Sequence, residues 1–190
     1  MLICVTGKMG SGKTTFLNFI ANKGYKVFEA DAYIREIYKK DGIGYNKIIE
    51  TFGKEFVNET EVDRKKIGKL VFNNPQELDK LNKAILPLII NWIKEIKKNN
   101  DEAIVELAIY FNYIDKFKGL FDKIVLIKGK KEIEDKKVIE KDWDNKHNPI
   151  IDPINQDYIE IINNDSIQKL EENAQYFIDT FLSKNKYTFA

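Results

Sequence analysis

The sequence predicts an α/β protein built on a five-stranded parallel sheet, and three observations predict it. Short apolar runs alternate with longer segments of helical periodicity from end to end, the pattern of strand–helix–strand crossovers. The first apolar run, residues 2–5, stops at Thr6-Gly7 and opens into a glycine-rich turn that leads straight into a helix. The chain has 190 residues and is 43% hydrophobic, enough for one compact domain with a real core.

The elements follow in order. Residues 2–5 read as a buried strand, and residues 14–23 as a helix closed by Gly24 as its C′ residue. Residues 25–29 form the second strand. Residues 32–40, 45–52 and 63–72 read as helices, separated by breaks at Asp41-Gly42 and Gly53. Asn74-Pro75-Gln76-Glu77 is a helix start, with asparagine as N-cap, proline at N1 and glutamate at N3. Leu78, Leu81 and Ile85 share one face of that helix. Pro87 is expected to kink or end it, with helix resuming over 88–98. Residues 103–109 and 123–127 are the third and fourth strands, and 158–162 the fifth. Asp165-Ser166-Ile167-Gln168 resembles a capping box for a last helix. That helix carries Ile167, Leu170, Ala174, Phe177, Ile178 and Phe181 at helical spacing. The polar stretch 130–155 reads either as a lid or as a solvated helix and loop.

Composition narrows the function. Lysine plus arginine number 31 against 30 aspartate plus glutamate, a net charge of +1. No global field draws nucleic acid or a membrane surface, so neither is the expected partner. The lone cysteine, Cys4, excludes an internal disulfide framework and reads as a small buried core residue in a reducing cytosol. No apolar run is long enough to span a bilayer. The run from residue 2 is cut short by Gly7 and Lys8, so no signal peptide is expected and the location expected is cytoplasmic. Only two arginines occur, Arg35 and Arg64, so any task needing a planar guanidinium fork falls to them.

The strongest chemical signal is Gly7-Lys8-Met9-Gly10-Ser11-Gly12-Lys13-Thr14. It fits the phosphate-loop pattern G-x-x-x-x-G-K-[ST], placed after a strand and opening a helix. Glycines let successive N–H groups turn inward, and with the positive end of the next helix they cradle a β-phosphate. Gly10, Ser11, Gly12, Lys13, Thr14 and Thr15 are the expected nucleotide contacts. Lys13 reaches β- and γ-phosphate oxygens, and the Thr14 hydroxyl is the expected Mg²⁺ ligand. Thr15 either caps the helix or touches the α-phosphate. The glycine order disfavours a dinucleotide-binding fingerprint. The expected ligand is therefore Mg·ATP, and the expected chemistry phosphoryl transfer to a small metabolite.

The second strand ends at Glu29-Ala30-Asp31. Ligands of parallel sheets sit beyond the carboxyl ends of strands, so a second strand close to the first would bring Asp31 to the phosphate-loop rim. There Asp31 is expected to accept a hydroxyl proton, to cap the following helix, or both. Arg35, four residues on, shares its face. Arg64 reads either as a surface charge beside Asp63 or as a clamp on an anionic acceptor. Glu106 either lines the site as a water-mediated Mg²⁺ partner or lies at an exposed strand end. His147 lacks metal-ligand neighbours and reads as a surface residue, and Trp92 and Trp143 as packing residues. Asn163 and Asn164 either border an adenine or serve turn chemistry.

Taken with the phosphate loop, the segments Glu29-Ala30-Asp31-Ala32-Tyr33-Ile34-Arg35, Phe52-Gly53, Asp63-Arg64-Lys65-Lys66-Ile67-Gly68, Val71-Phe72-Asn73-Asn74-Pro75, Leu81-Asn82 and Pro87-Leu88-Ile89 resemble the dephospho-CoA kinase family in order and spacing. The resemblance implies a P-loop kinase of three α/β/α layers with a five-stranded parallel sheet. It implies one domain over 1–190, with a helical acceptor-binding region near 32–100 and a lid near 130–155. It implies ATP-dependent phosphorylation of the ribose 3′-hydroxyl of dephospho-CoA, with Asp31 as general base and with Lys13 and Arg64 also catalytic. Arg35 and Arg64 would hold the acceptor, and the chain would act as a monomer or weak homo-oligomer. The sequence departs from that family in places. Glu29 replaces the first aspartate of Asp-Ala-Asp, and Leu86 replaces a histidine before Pro87. Lys137 and Lys141-Asp142 stand where the lid carries arginines, which keeps charge but loses bidentate phosphate geometry. Other small-metabolite P-loop kinases, or a nucleotide switch without an acceptor, are the competing readings. The absence of an Asn-Lys-x-Asp motif and of a clear Walker-B aspartate counts against the switch.

Overall fold

The computed structural model describes residues 1–129, 158–163 and 166–182. The expected lid near 130–155, with Lys137 and Lys141, lies outside these residues, as do Trp143, His147 and Asn164. The chain divides into two compact units, Met1–Phe28 with Lys97–Ala190, and Glu29–Ile96.

The first unit is organised around a five-stranded all-parallel sheet of order β2-β3-β1-β4-β5. The strands are β1 (Leu2–Thr6), β2 (Val27–Glu29), β3 (Ala103–Glu106), β4 (Lys123–Gly129) and β5 (Ile159–Asn163). β1 is buried along its whole length, because a central strand of a parallel sheet meets no water on either face. It pairs in parallel with β3 on one side (Val5 opposite Glu106) and with β4 on the other (Val5 opposite Val125). β4 pairs in parallel with β5, with Gly129 opposite Asn163. β3 therefore separates β2 from β1, which leaves the second strand close to the first but not paired with it.

Two helices, α1 (Lys13–Asn22) and α7 (Ile167–Phe181), share the core of this unit with the sheet. Phe16, Leu17 and Ile20 of α1 meet Leu170, Ala174, Phe177 and Ile178 of α7 over Ile3, Val5, Val125 and Ile127. The Phe16 and Phe177 rings lie 5.6 Å apart. Gly24, at φ +89°, terminates α1 as expected. The cap of α7 falls one residue later than the sequence suggested. Ser166 is the N-cap, and its hydroxyl oxygen accepts the Lys169 N–H at 2.9 Å. A short helix, α6 (Ile114–Phe117), precedes β4.

Where β1 begins, Asp122 ties this unit together. Its Oδ2 accepts the Leu2 N–H at 2.6 Å, and Lys97 Nζ donates to its Oδ1 at 3.1 Å. The backbone hydrogen bond, seconded by Lys97, holds the Asp122 carboxyl below the usual aspartate range. A depressed folded-state pKa stabilises the fold above the unfolded value near ~3.9, and that gain fades as pH falls through the folded value. Asp122→Asn is therefore expected to lower the melting temperature at neutral pH, with the gap to wild type closing as pH drops below ~4. A thermal scan across pH checks this, and a gap that is constant with pH would contradict it.

The second unit contains α2 (Ala30–Ile37), α3 (Ile43–Phe52), α4 (Arg64–Phe72) and most of α5 (Pro75–Asn99). α5 starts as expected, with Asn74 Oδ1 accepting the Glu77 N–H at 3.3 Å. It then runs through Pro87 without ending, so of the two outcomes expected there an end is excluded, and helix continues beyond the proline as expected. Pro87 removes only the bond to the Lys83 carbonyl, and both residues are exposed, so water can reach that oxygen. Ile85, Leu86, Ile89 and Ile93 are buried on both sides of the proline and hold the helix in one piece. Trp92 stacks on Tyr33 of α2, with centroids 4.6 Å apart and planes 7° from parallel, which makes it a packing residue.

Candidate functional site

The glycine-rich loop leaves β1 at Thr6 and enters α1 at Lys13. Gly7, Gly10 and Gly12 all have positive φ (145°, 81° and 99°), conformations that side chains resist. Two of them also have no room for a side chain. A Cβ on Gly7 would lie 2.3 Å from the Ile127 carbonyl oxygen of β4, and one on Gly12 2.4 Å from Asn163 Nδ2 of β5. The Ser11 N–H closes the turn on the Lys8 carbonyl at 3.2 Å.

Gly12 is the N-cap of α1 and offers no side-chain acceptor, and the first turn carries no acidic residue. The first N–H groups of a helix have no partners within it and carry its positive dipole end. An anion placed there meets donors and positive potential together. Thr14 lies exposed in this turn and Thr15 half-buried. The capping role considered for Thr15 is excluded, because the helix has already started at Lys13.

Lys13 folds back across the loop. Its Nζ donates to the carbonyl oxygens of Gly7 at 2.7 Å and Lys8 at 2.9 Å, and the residue is only 9% exposed. Glu106 Oε1 lies 3.9 Å from Nζ, on a side chain that is 15% exposed. Glu106 ends β3, the strand beside β1, so the reading of it as an exposed strand end fails. Burial, with the Glu106 charge second, pushes the Cys4 thiol well above its usual pKa, so Cys4 is an inert core residue.

Asn163 was not singled out for this role by local spacing. Its Nδ2 donates to the Ser11 carbonyl at 3.0 Å across 152 residues of chain. Ser11 Oγ, on a residue 1% exposed, has no hydrogen-bond partner among the described residues. Ser11 thus engages its surroundings through its backbone.

The remaining candidates belong to the second unit. Asp31 is an exposed residue in the first turn of α2. The N-cap of α2 is Glu29, so Asp31 is not a capping residue and its carboxylate is left to other work. Arg35, also exposed, follows one helical turn later on the same side. Arg64 opens α4, where Asp63 Oδ1 accepts the Lys66 N–H at 2.9 Å and fixes the helix start. Near it Tyr38 is buried. Burial pushes the Tyr38 hydroxyl up to about 12, with the Arg64 charge partly offsetting the rise. Among the described residues no cluster of three or more His, Cys, Asp or Glu side chains forms a ready-made metal centre. No helix among them is long and apolar enough to cross a membrane.

A central buried strand, a glycine loop of positive φ, a lysine folded over it and a carboxylate on the next strand define a P-loop kinase. The solved dephospho-CoA kinase from Campylobacter jejuni shares this fold at a TM-score of 0.65 and 22% identity, over 94% of this chain and 95% of that one. The family profile described as Dephospho-CoA kinase matches residues 1–158, and the chain belongs to that family. The dephospho-CoA kinase of Mycoplasma genitalium is 36% identical over 98% of this chain and 96% of its own. That of Fusobacterium nucleatum is 34% identical, over 95% and 98%.

Proposed function

We propose that the protein transfers the γ-phosphoryl group of Mg·ATP to the ribose 3′-hydroxyl of dephospho-CoA, releasing ADP and coenzyme A in the cytoplasm. Membership of the family sets the reaction. The observation that carries the site is the buried Lys13 ammonium, held by two loop carbonyls at the start of an uncapped helix. In this reading the backbone N–H groups over 10–15 bind the β-phosphate. Lys13 moves from the loop carbonyls to β- and γ-phosphate oxygens and offsets the charge that spreads over the transferring group.

The donors present suit Mg²⁺, a hard ion that takes oxygen ligands and keeps several waters. The exposed Thr14 hydroxyl and the Glu106 carboxylate are oxygen donors of that kind, the first direct and the second through water. Bound there, the metal would neutralise phosphate charge. Asp31 accepts the proton of the acceptor hydroxyl as the O–P bond forms. Arg35 and Arg64, the chain's two guanidinium groups, hold the anionic groups of the acceptor within the helical region near 32–100.

Purified protein incubated with Mg·ATP and dephospho-CoA should produce ADP and coenzyme A in equal amounts. ADP release that is indifferent to dephospho-CoA, but stimulated by a nucleoside or sugar, would reject this acceptor. For the acceptor clamp, Arg64→Ala is expected to raise KM for dephospho-CoA about 10- to 100-fold, the cost of a lost charge-assisted contact. A steady-state analysis varying each substrate checks it, and a change confined to KM for ATP would contradict the assignment.

A further inference from the structure

We infer that Asn163 is a positioning residue for nucleotide binding. Its side-chain amide holds the Ser11 carbonyl and thereby aims the Gly12 N–H at the bound phosphates. The inference rests on residues 7–15 being a triphosphate site.

A trans peptide is planar, so the Gly12 N–H points opposite to the Ser11 C=O. Asn163 engages that carbonyl from the β5 side at 3.0 Å. The Gly12 N–H consequently points away from β5. Without a hold on the carbonyl, the peptide ahead of a glycine has two accessible orientations, because glycine tolerates both signs of φ. Ser11 cannot supply the hold itself, since its buried Oγ makes no hydrogen bond among the described residues.

The surroundings are shaped for this contact. Gly12 leaves the space the amide occupies, since a Cβ there would sit 2.4 Å from Nδ2. Gly129, opposite Asn163 in the β4–β5 register, leaves similar space, because a Cβ there would come within 3.2 Å of Ser11 Cα. The ends of β4 and β5 thus close on the outer side of the loop. A side chain placed to read the adenine would act on ATP alone. One that sets the phosphate cradle acts on any triphosphate.

That difference is the test. Binding of Mg·ATP and of Mg·tripolyphosphate, which has no base, is measured by calorimetry on wild type, Asn163→Ala and Asn163→Asp. Alanine removes the donor without adding charge, and aspartate keeps the shape but replaces the donor by an anionic oxygen. Asn163→Ala is expected to lose about tenfold in affinity, by the same factor for both ligands, the net worth of one hydrogen bond of this kind, and Asn163→Asp at least as much for each, since its charge also repels the phosphates. Ligand-free melting temperatures are expected to fall by only about 2–6 °C, the cost of one lost hydrogen bond, so the variants remain folded at the temperature of the titration. Loss for ATP with tripolyphosphate unchanged would overturn the inference in favour of a base contact. Unchanged affinity for both ligands would overturn it as well. Failure of the triphosphate reading itself shows in the wild type alone, as no binding of either ligand, and so is distinct from a variant effect.

Discussion

Replacing Lys13 by alanine is expected to lower the rate of phosphoryl transfer by about 10²- to 10³-fold, the scale seen when one preorganised charge-stabilising donor is lost. Lys13 is buried, and its ammonium is already positioned at the mouth of the loop by the Gly7 and Lys8 carbonyls. A cation held in a site of reduced dielectric does more for developing charge than one in water. Glu106, 3.9 Å away, keeps that buried cation partnered when no nucleotide is present. The variant removes the ammonium and leaves Glu106 without it, so some loss of stability accompanies the loss of rate. Single-turnover rates at saturating ATP and dephospho-CoA separate the two. A variant with near-wild-type rate would sink the assignment of residues 7–15 as the catalytic phosphate site.

The second large effect is expected from Asp31→Asn, a fall in kcat of about 10²- to 10⁴-fold, the usual worth of a general base. Asparagine preserves shape and removes the proton acceptor. Because Asp31 is exposed and does not cap α2, the substitution breaks no structural hydrogen bond in that helix. Melting temperature and ATP affinity are therefore expected to stay near wild type while turnover collapses. Equal losses in nucleotide affinity and turnover would rule out the base role.

Much of this fold was legible from short stretches of chain. The β1–loop–α1 passage was readable because an apolar run, three glycines and a helical period fall within about twenty residues of one another. The start of α5 was readable from Asn74-Pro75, and the packed face of α7 from the spacing of Leu170, Ala174, Phe177 and Ile178. Errors arose where two local signals competed. At the start of α7 both Asp165 and Ser166 are good caps, and the structure assigns Ser166. At Pro87 the sequence left a kink or an end open, and burial of the isoleucines on both sides keeps a single helix.

The site was only half legible. Lys13 and its loop were plain, whereas the partners that hold them were not. Glu106 stood out as a carboxylate on an apolar strand, but its pairing with Lys13 was not legible because it depends on β3 lying beside β1, and strand order is a matter of long-range pairing. For the same reason the sequence could place the second strand close to the first without showing that β3 lies between them. Asn163 was noticed only as a turn or adenine-edge residue, since nothing local relates it to a loop 152 positions earlier.

Sequence alone determined where most turns fall, which stretches are strands and helices, and which lysine and glycines make up the phosphate-loop motif. Those follow from backbone preferences and periodicities within a few residues. Tertiary structure alone decided that Glu106 partners Lys13, that β4 and β5 press against Gly7 and Gly12, and that Asn163 grips Ser11. These contacts join residues far apart in the chain, and only the packing of the whole sheet brings them within hydrogen-bond and van der Waals reach.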